Sequence, residues 1–90
     1  MKGYTIIISD INYTNTKKLK INYVNAIGSV DDIDVVLTDT AGNPIWVGNT
    51  EVTDARYLFG CLNGQEVNGL KLTRFDNCET LIIGVAEEIT

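Results

Sequence analysis

The sequence predicts an α+β fold with two layers, in which a five- or six-stranded, mostly antiparallel sheet carries a single helix in the order ββββαββ. Three observations support this prediction. Runs of β-branched and aromatic residues, separated by turn residues, fill most of the chain and are typical of strands. One stretch instead has apolar residues at helical spacing. The connections between the segments are short, which favours antiparallel pairing.

The predicted helix covers residues 51–62. At 100° per residue, one face of this segment is apolar and would pack on the sheet. That face consists of Val52, Ala55, Leu58, Phe59 and Leu62. Thr50 can cap the first turn, and Gly64 can end the helix because glycine takes a left-handed conformation without penalty. If the Phe59 ring belongs to the core, its replacement by alanine would cost about 3–5 kcal/mol.

Six segments are predicted as strands: Tyr4–Ile8, Lys18–Val24, Ile33–Asp39, Ile45–Gly48, Leu70–Phe75 and Thr80–Ala86. The first contains three consecutive isoleucines, which indicates burial on both faces and therefore a central position in the sheet. The nearly continuous apolar run of the last segment leads to the same expectation. In the second segment, alternation places Leu19, Ile21 and Tyr23 together on the buried side.

Turn residues separate these strands. The predicted turns and connections are residues 14–17, 40–44, 64–69 and 76–79. In the loop over residues 40–44, Gly42 can take a positive φ and Pro44 cannot donate to a strand ladder. In the strand that follows, Ile45 and Val47 are expected to face inward, and Trp46 outward.

The composition indicates one globular domain over residues 1–90. Hydrophobic residues make up 44% of the chain and charged residues 21%, which are ordinary values for a folded protein. The formal net charge of −5 disfavours direct binding of nucleic acid, which needs clustered lysine and arginine. Negative charge suits a protein partner with a basic surface, or serves solubility alone. No apolar run approaches the roughly 20 residues that span a bilayer, so no membrane association is expected.

The two cysteines, Cys61 and Cys78, and the lack of a secretory signal in the first residues lead us to expect a cytoplasmic protein with reduced thiols. A Cys61–Cys78 bridge is the alternative. The frequent use of Asn, Ile, Lys and Thr is typical of an AT-rich bacterial or phage genome. The expected location is therefore the cytoplasm of a bacterial or phage-infected cell.

The residues offer little chemistry. The sequence has no histidine, which removes the commonest general base and a common metal ligand. Residues 64–69 have the glycine spacing of a phosphate-binding loop, but they lack its lysine and hydroxyl. Asp31, Asp32 and Asp34 do not have the register of a calcium loop, although a weak cation contact stays open. We expect no catalytic residue, no metal site and no cofactor, and therefore no enzyme.

By elimination, the predicted function is that of a small, acidic, non-enzymatic binding protein. It would be a phage- or bacterium-encoded inhibitor or regulator that docks on a larger protein, including one that binds nucleic acid. Exposed aromatic residues are frequent interface hot spots, and acids suit a basic surface. The candidate partner-binding residues are Trp46, Asp54, Tyr57, Cys61, Asp31, Asp32 and Asp34.

Two other functions stay open. One is a self-assembling structural subunit of a virion or complex, and the other is a protein that binds or sequesters a small molecule or nucleotide. A homodimer that buries one face of the sheet is compatible with the first of these alternatives.

Overall fold

The computed structural model describes residues 3–28, 33–49 and 57–89. Within these residues the chain forms one antiparallel sheet and no helix. Its strands are β1 (Tyr4–Ile8), β2 (Thr14–Gly28), β3 (Asp34–Thr38), β4 (Pro44–Asn49), β5 (Tyr57–Asp76) and β6 (Cys78–Ile89). Their order in the sheet is β1-β6-β2-β5-β3-β4. The described part of the chain is all-β, so the predicted α+β class is wrong, while six antiparallel strands agree with the predicted sheet.

The predicted helix is wrong in its described part, because residues 57–62 form the start of β5. Residues 51–56 lie outside the described part of the chain. The expected burial of Phe59 is also wrong, since its side chain is 66% exposed. Successive side chains of a strand point to opposite sides, and Phe59 lies on the side away from the core.

Trp46 of β4 faces the inside of the sheet, contrary to the predicted orientation. Its ring lies against Gly48 and Gly60 and packs on the core, whereas Val47, predicted to face inward, is 60% exposed. Gly60 belongs to β5, and β3 lies between β5 and β4 in the sheet. The contact between Trp46 and Gly60 therefore shows that the sheet curls, so that the β3–β4 hairpin lies over the first part of β5.

One aliphatic core fills the inside of this curled sheet. Its buried residues are Ile6, Ile8, Leu19, Ile21, Val24, Ala26, Ile33, Val35, Leu37, Val67, Leu70, Leu72, Leu81, Ile83 and Val85. Strand β6 lies between β1 and β2, which confirms the internal position predicted from its apolar run. Strand β1 lies at the edge of the sheet, so its predicted central position is wrong, and Ile7 is 68% exposed.

An irregularity in β2 reverses its alternation. Between Ile21 and Tyr23 the register shifts against both neighbouring strands, and Asn22 is an extra residue relative to β6. Ile21 is buried, but Tyr23 lies on the outer side, where the simple alternation does not place it. On the other side of β2, strand β5 has the surplus, because its residues 62–64 lie opposite Asn22 alone, and the last two of these have positive φ.

A second close contact involves the segment 64–69. This segment continues β5, and β2 begins at Thr14, so the connection predicted over 64–69 and the turn predicted over 14–17 are wrong. Gly69 has a φ of 86°. A Cβ atom there would lie 2.6 Å from the carbonyl oxygen of Asn15 and 2.6 Å from Cγ2 of Thr40. Glycine accepts both the positive φ and this close approach.

The loop predicted between β3 and β4 is confirmed, and the Asp39 carboxylate organises it. Oδ1 accepts hydrogen bonds from the backbone N–H groups of Ala41 and Asn43, each at 2.9 Å. Oδ2 accepts one from the Asn43 side chain at 3.0 Å. These bonds, with the one from the Asn43 side chain contributing most, hold the pKa of Asp39 below its ordinary value of 3.8.

We expect Asp39→Ala to reduce the acid sensitivity of the fold. A carboxylate whose pKa is lower in the folded than in the unfolded state stabilises the fold above its unfolded pKa. That contribution disappears as the pH falls through the folded pKa. The measurement is urea unfolding near neutral pH and again well below pH 3.8, the ordinary pKa. Wild type should lose more stability between the two conditions than Asp39→Ala, and equal losses would contradict this account.

Candidate functional site

One side of strands β1, β6, β2 and β5 faces away from the core, and we call it the outer face. One row of paired residues crosses all four strands on this side: Ile7, Ile82, Asn25 and Phe59. A second row, two residues further along each strand, consists of Thr5, Gly84, Tyr23 and Cys61. Paired residues share one side of a sheet, so the two rows form a continuous surface.

Two large apolar side chains protrude at opposite ends of the first row. Ile7 is 68% exposed and Phe59 is 66% exposed. The Phe59 ring stacks on Tyr23, with a centroid distance of 5.8 Å and an interplanar angle of 19°. The Tyr23 ring in turn lies against Gly84, in the space that a Cβ atom would occupy. Because Phe59 is supported from below, little conformational freedom remains to be lost when it binds a partner.

The two rows contain no charged residue, although 21% of the chain is charged. The adjoining pair of Ile27 and Thr80 is uncharged as well. Depletion of charge together with enrichment of aromatic residues distinguishes the core of a protein–protein interface from the rest of a surface. This composition makes the outer face the strongest candidate site in the described part of the chain.

Asn25, in the middle of the first row, is unfavourable for folding. Its Oδ1 atom is buried and has no hydrogen-bond partner. A buried acceptor without a partner costs stability, and asparagine is a poor strand former. The exposed side chains of Phe59 and Ile7 are likewise unfavourable for folding, because they leave apolar surface in contact with water. Such local conflicts are expected at functional sites.

Beyond the two rows, the outer face carries a charged zone, which we define as Lys18, Lys20, Glu66 and Glu87. Lys20 pairs with Glu66 on β5 and with Glu87 on β6. Lys18 Nζ lies 3.9 Å from Glu66 Oε2. The two positive and two negative charges of this zone cancel, whereas the whole chain carries −5.

The structure separates the predicted partner-binding residues. Cys61 lies on the outer face, and Tyr57 is the first residue of β5. Trp46 lies inside the curl of the sheet. Asp34 lies on β3, where its Oδ2 accepts a hydrogen bond from Arg74 Nη1 at 2.9 Å. The remaining predicted residues, Asp31, Asp32 and Asp54, are outside the described residues.

The two cysteines are free thiols, so the alternative Cys61–Cys78 bridge is not formed. Cys78 is half-buried, and this burial raises the pKa of its thiol, which disfavours the reactive thiolate. Cys61 is exposed, and its Sγ lies 3.0 Å from Oδ1 of Asn63. In residues 3–28, 33–49 and 57–89, no three cysteine or acidic side chains come together in a group that could hold a metal ion.

The sequence patterns identify few of the residues that form the outer face. They place Ile7, Tyr23 and Phe59 in the core, and of the predicted candidates only Cys61 is a described side chain of this surface. One signal was available: Tyr57, Phe59 and Cys61 alternate with smaller or aliphatic residues, at the period of a strand. That period indicates two differently exposed sides.

Comparisons of the chain with protein-family models, curated proteins and solved structures found no match. In the part of the chain that the structure describes, no helix has the length and hydropathy needed to cross a membrane.

Proposed function

We propose that this chain is a small, non-enzymatic protein-binding domain that contacts its partner through the outer face. The observation that carries the proposal is the exposed Phe59 ring, which Tyr23 supports within two rows that contain no charge. Aromatic anchors in a charge-depleted surface are typical interface hot spots. The edge-to-edge width of four strands provides a broad, shallow surface rather than a cleft.

The shape and chemistry of this surface favour a protein over the other ligand classes. Small molecules bind in concave sites that bury most of the ligand, whereas a sheet face offers a broad contact area. The two uncharged rows include one thiol, Cys61, and contain no carboxylate or amine. This composition supports a binding role rather than acid–base catalysis.

The proposal includes a location in the cytoplasm of a bacterial or phage-infected cell. The free thiols of Cys61 and Cys78 support it, because exposed thiols persist in reducing compartments.

The test is affinity capture from extracts of the source cells with three baits: wild type, Phe59→Asp and Val47→Asp. Val47 is the matched control, because it is an apolar side chain of similar exposure, 60%, on the β3–β4 hairpin. We expect wild type and Val47→Asp to retain a protein that Phe59→Asp does not. Capture that is equally strong with all three baits would show that the outer face is not the binding surface.

Each variant must also be folded, and the expected stability of a Phe59 variant follows from its exposure. Phe59→Ala should lower the free energy of unfolding by about 0.5–1.5 kcal/mol, the value of one aromatic stack. This is well below the 3–5 kcal/mol typical of a core ring. A larger loss in urea unfolding would place the ring in the core and contradict the outer-face assignment.

A second candidate function is docking of the acidic remainder of the chain on a basic protein, as an inhibitor or regulator. The observation in its favour is that the charges of the outer face cancel, so the net charge of −5 belongs to the rest of the chain. The same capture experiment separates the two. Retention that survives Phe59→Asp but falls steeply with added salt would support the acidic surface.

A further inference from the structure

We infer that the partner of the outer face is a second copy of this chain, which packs on it face to face in a two-fold symmetric dimer. This inference rests on the proposed function, because it names the partner of the same surface. It follows from the charge of the face, from its area and from the positions of its residues along the strands.

Charge favours a second copy over a basic or acidic partner at this surface. Two acidic chains with a charge of −5 each repel one another through most of their surfaces. The outer face is the exception, since the charges of Lys18 and Lys20 cancel those of Glu66 and Glu87 and the two rows contain no charge. A strongly basic partner would meet no excess of acidic residues on this face. Its charged groups would be left unpaired against the two uncharged rows.

The area shows which part of the face must take part. With strands about 4.8 Å apart and about 3.3 Å per residue, the two uncharged rows cover roughly 300 Å² of each copy. Two such patches bury about 600 Å² in total, which is less than the roughly 1,000 Å² that a biological interface needs. Adding the charged zone brings the total to about 1,100 Å². A dimer therefore includes the charged zone, and its interface lies near the lower size limit, which is typical of weak association.

Only one direction of the two-fold axis overlays both parts of the face on themselves. An axis parallel to the strands, in the plane between the copies and midway between β6 and β2, exchanges β1 with β5 and β6 with β2. It keeps each row at the same level. Ile7 then meets Phe59 of the second copy, and Lys20 meets Glu87 of the second copy, because each pair occupies exchanged strands in one row. An axis across the strands would place the uncharged rows of one copy on the charged zone of the other.

The first experiment measures association of the purified full chain by sedimentation velocity, from about 1 µM to about 1 mM, a range that covers weak association. Wild type and Val47→Asp should dimerise alike. Phe59→Asp should weaken association at least about 30-fold, the loss that a hot spot of about 2 kcal/mol produces. Wild type that stays monomeric at the highest concentration would overturn the inference, as would a dimer that Val47→Asp breaks and Phe59→Asp does not.

The exposed thiol of Cys61 reports dimer formation without any substitution in the two uncharged rows. Its reaction with a thiol reagent should slow as the protein concentration passes through the dissociation constant. Cys78 serves as the internal comparison, because it is half-buried within each copy and should react slowly at every concentration. A Cys61 rate independent of concentration in a dimeric sample would place the dimer contact on another surface.

A charge exchange tests the direction of the axis. Lys20→Glu and Glu87→Lys should each weaken self-association, since each sets like charges opposite one another across the interface. A mixture of the two variants should form a heterodimer, because opposite charges then meet at both contacts. One contact joins the two substituted side chains, and the other joins the two unchanged ones. Mixing that restores no dimer would overturn the axis parallel to the strands.

The outcomes separate this inference from the proposed function. A monomer whose outer face retains a different protein, in a manner that Phe59→Asp abolishes, would overturn the dimer and leave the protein-binding function standing. A monomer that retains nothing through this face would overturn both.

Discussion

Leu81→Ala should destabilise the protein by about 2–5 kcal/mol, because the substitution leaves a cavity in the middle of the core. Leu81 is fully buried in β6 and pairs with Ile8 of β1 and Ala26 of β2. A small domain has only about 5–15 kcal/mol of stability in total, so the loss is a large share. Urea unfolding followed by the fluorescence of Trp46, the only tryptophan, measures it.

Val47→Ala is the matched control for this measurement. Val47 is 60% exposed on the outer side of β4, so its truncation should change stability by no more than about 0.5 kcal/mol. If the two substitutions had similar effects, the assignment of the inner and outer sides of the sheet would be wrong.

Gly69→Ala should be strongly destabilising, because two separate costs add at this position. A residue with a Cβ at a φ of 86° is strained by about 1–2 kcal/mol. The new Cβ would also lie 2.6 Å from the Asn15 carbonyl oxygen, so β5 must move away from β2, which costs a further 1–3 kcal/mol or so.

Gly42→Ala isolates the first of these costs. Gly42 has a similar φ of 93°, but no atom lies within 4 Å of the position that its Cβ would take. The difference in unfolding free energy between Gly69→Ala and Gly42→Ala therefore measures the close approach of β5 to β2. Equal losses would mean that backbone conformation alone matters and that the approach is not tight.

A strand could be predicted where all the residues that identify it lie within one short segment of the chain. The isoleucines of β1 and the apolar run of β6 identify two strands, and Gly42 with Pro44 identifies the loop between β3 and β4. Local patterns do not determine the position of a strand in the sheet. Three isoleucines indicate burial on both faces, yet β1 is an edge strand with Ile7 exposed.

The helix prediction failed because Trp46, a residue of β4, occupies one of the inward positions in the alternating pattern of β5. In residues 57–62, Leu58 and Leu62 face inward, and the position between them is Gly60. The ring of Trp46 fills this gap in the folded chain, and no local pattern can show that. With the glycine removed from the apolar set, the remaining spacing fits a helix better than a strand. The stop signal at Asn63 and Gly64 does mark positive φ, but within an irregular strand.

The candidate site was hidden for a related reason. Alternation places Tyr23 on the buried side with Ile21, but the extra residue Asn22 turns Tyr23 to the outer face. Insertion of one residue reverses every side chain that follows it in a strand. The stack of Tyr23 and Phe59 joins residues from two strands, so neither local sequence indicates it. By contrast, the acidic balance of the chain is visible directly in its composition.

The strand order also governs how this chain acquires its fold during synthesis. The neighbour of β1 is β6, and the neighbours of β2 are β5 and β6. Strands β1 and β2 therefore cannot pair until β5 and β6 have been synthesised. Such high contact order is associated with folding times of milliseconds to seconds. The lysines at positions 17, 18 and 20 place positive charge in the β2 segment during this time, and such charge disfavours association of unpaired strands.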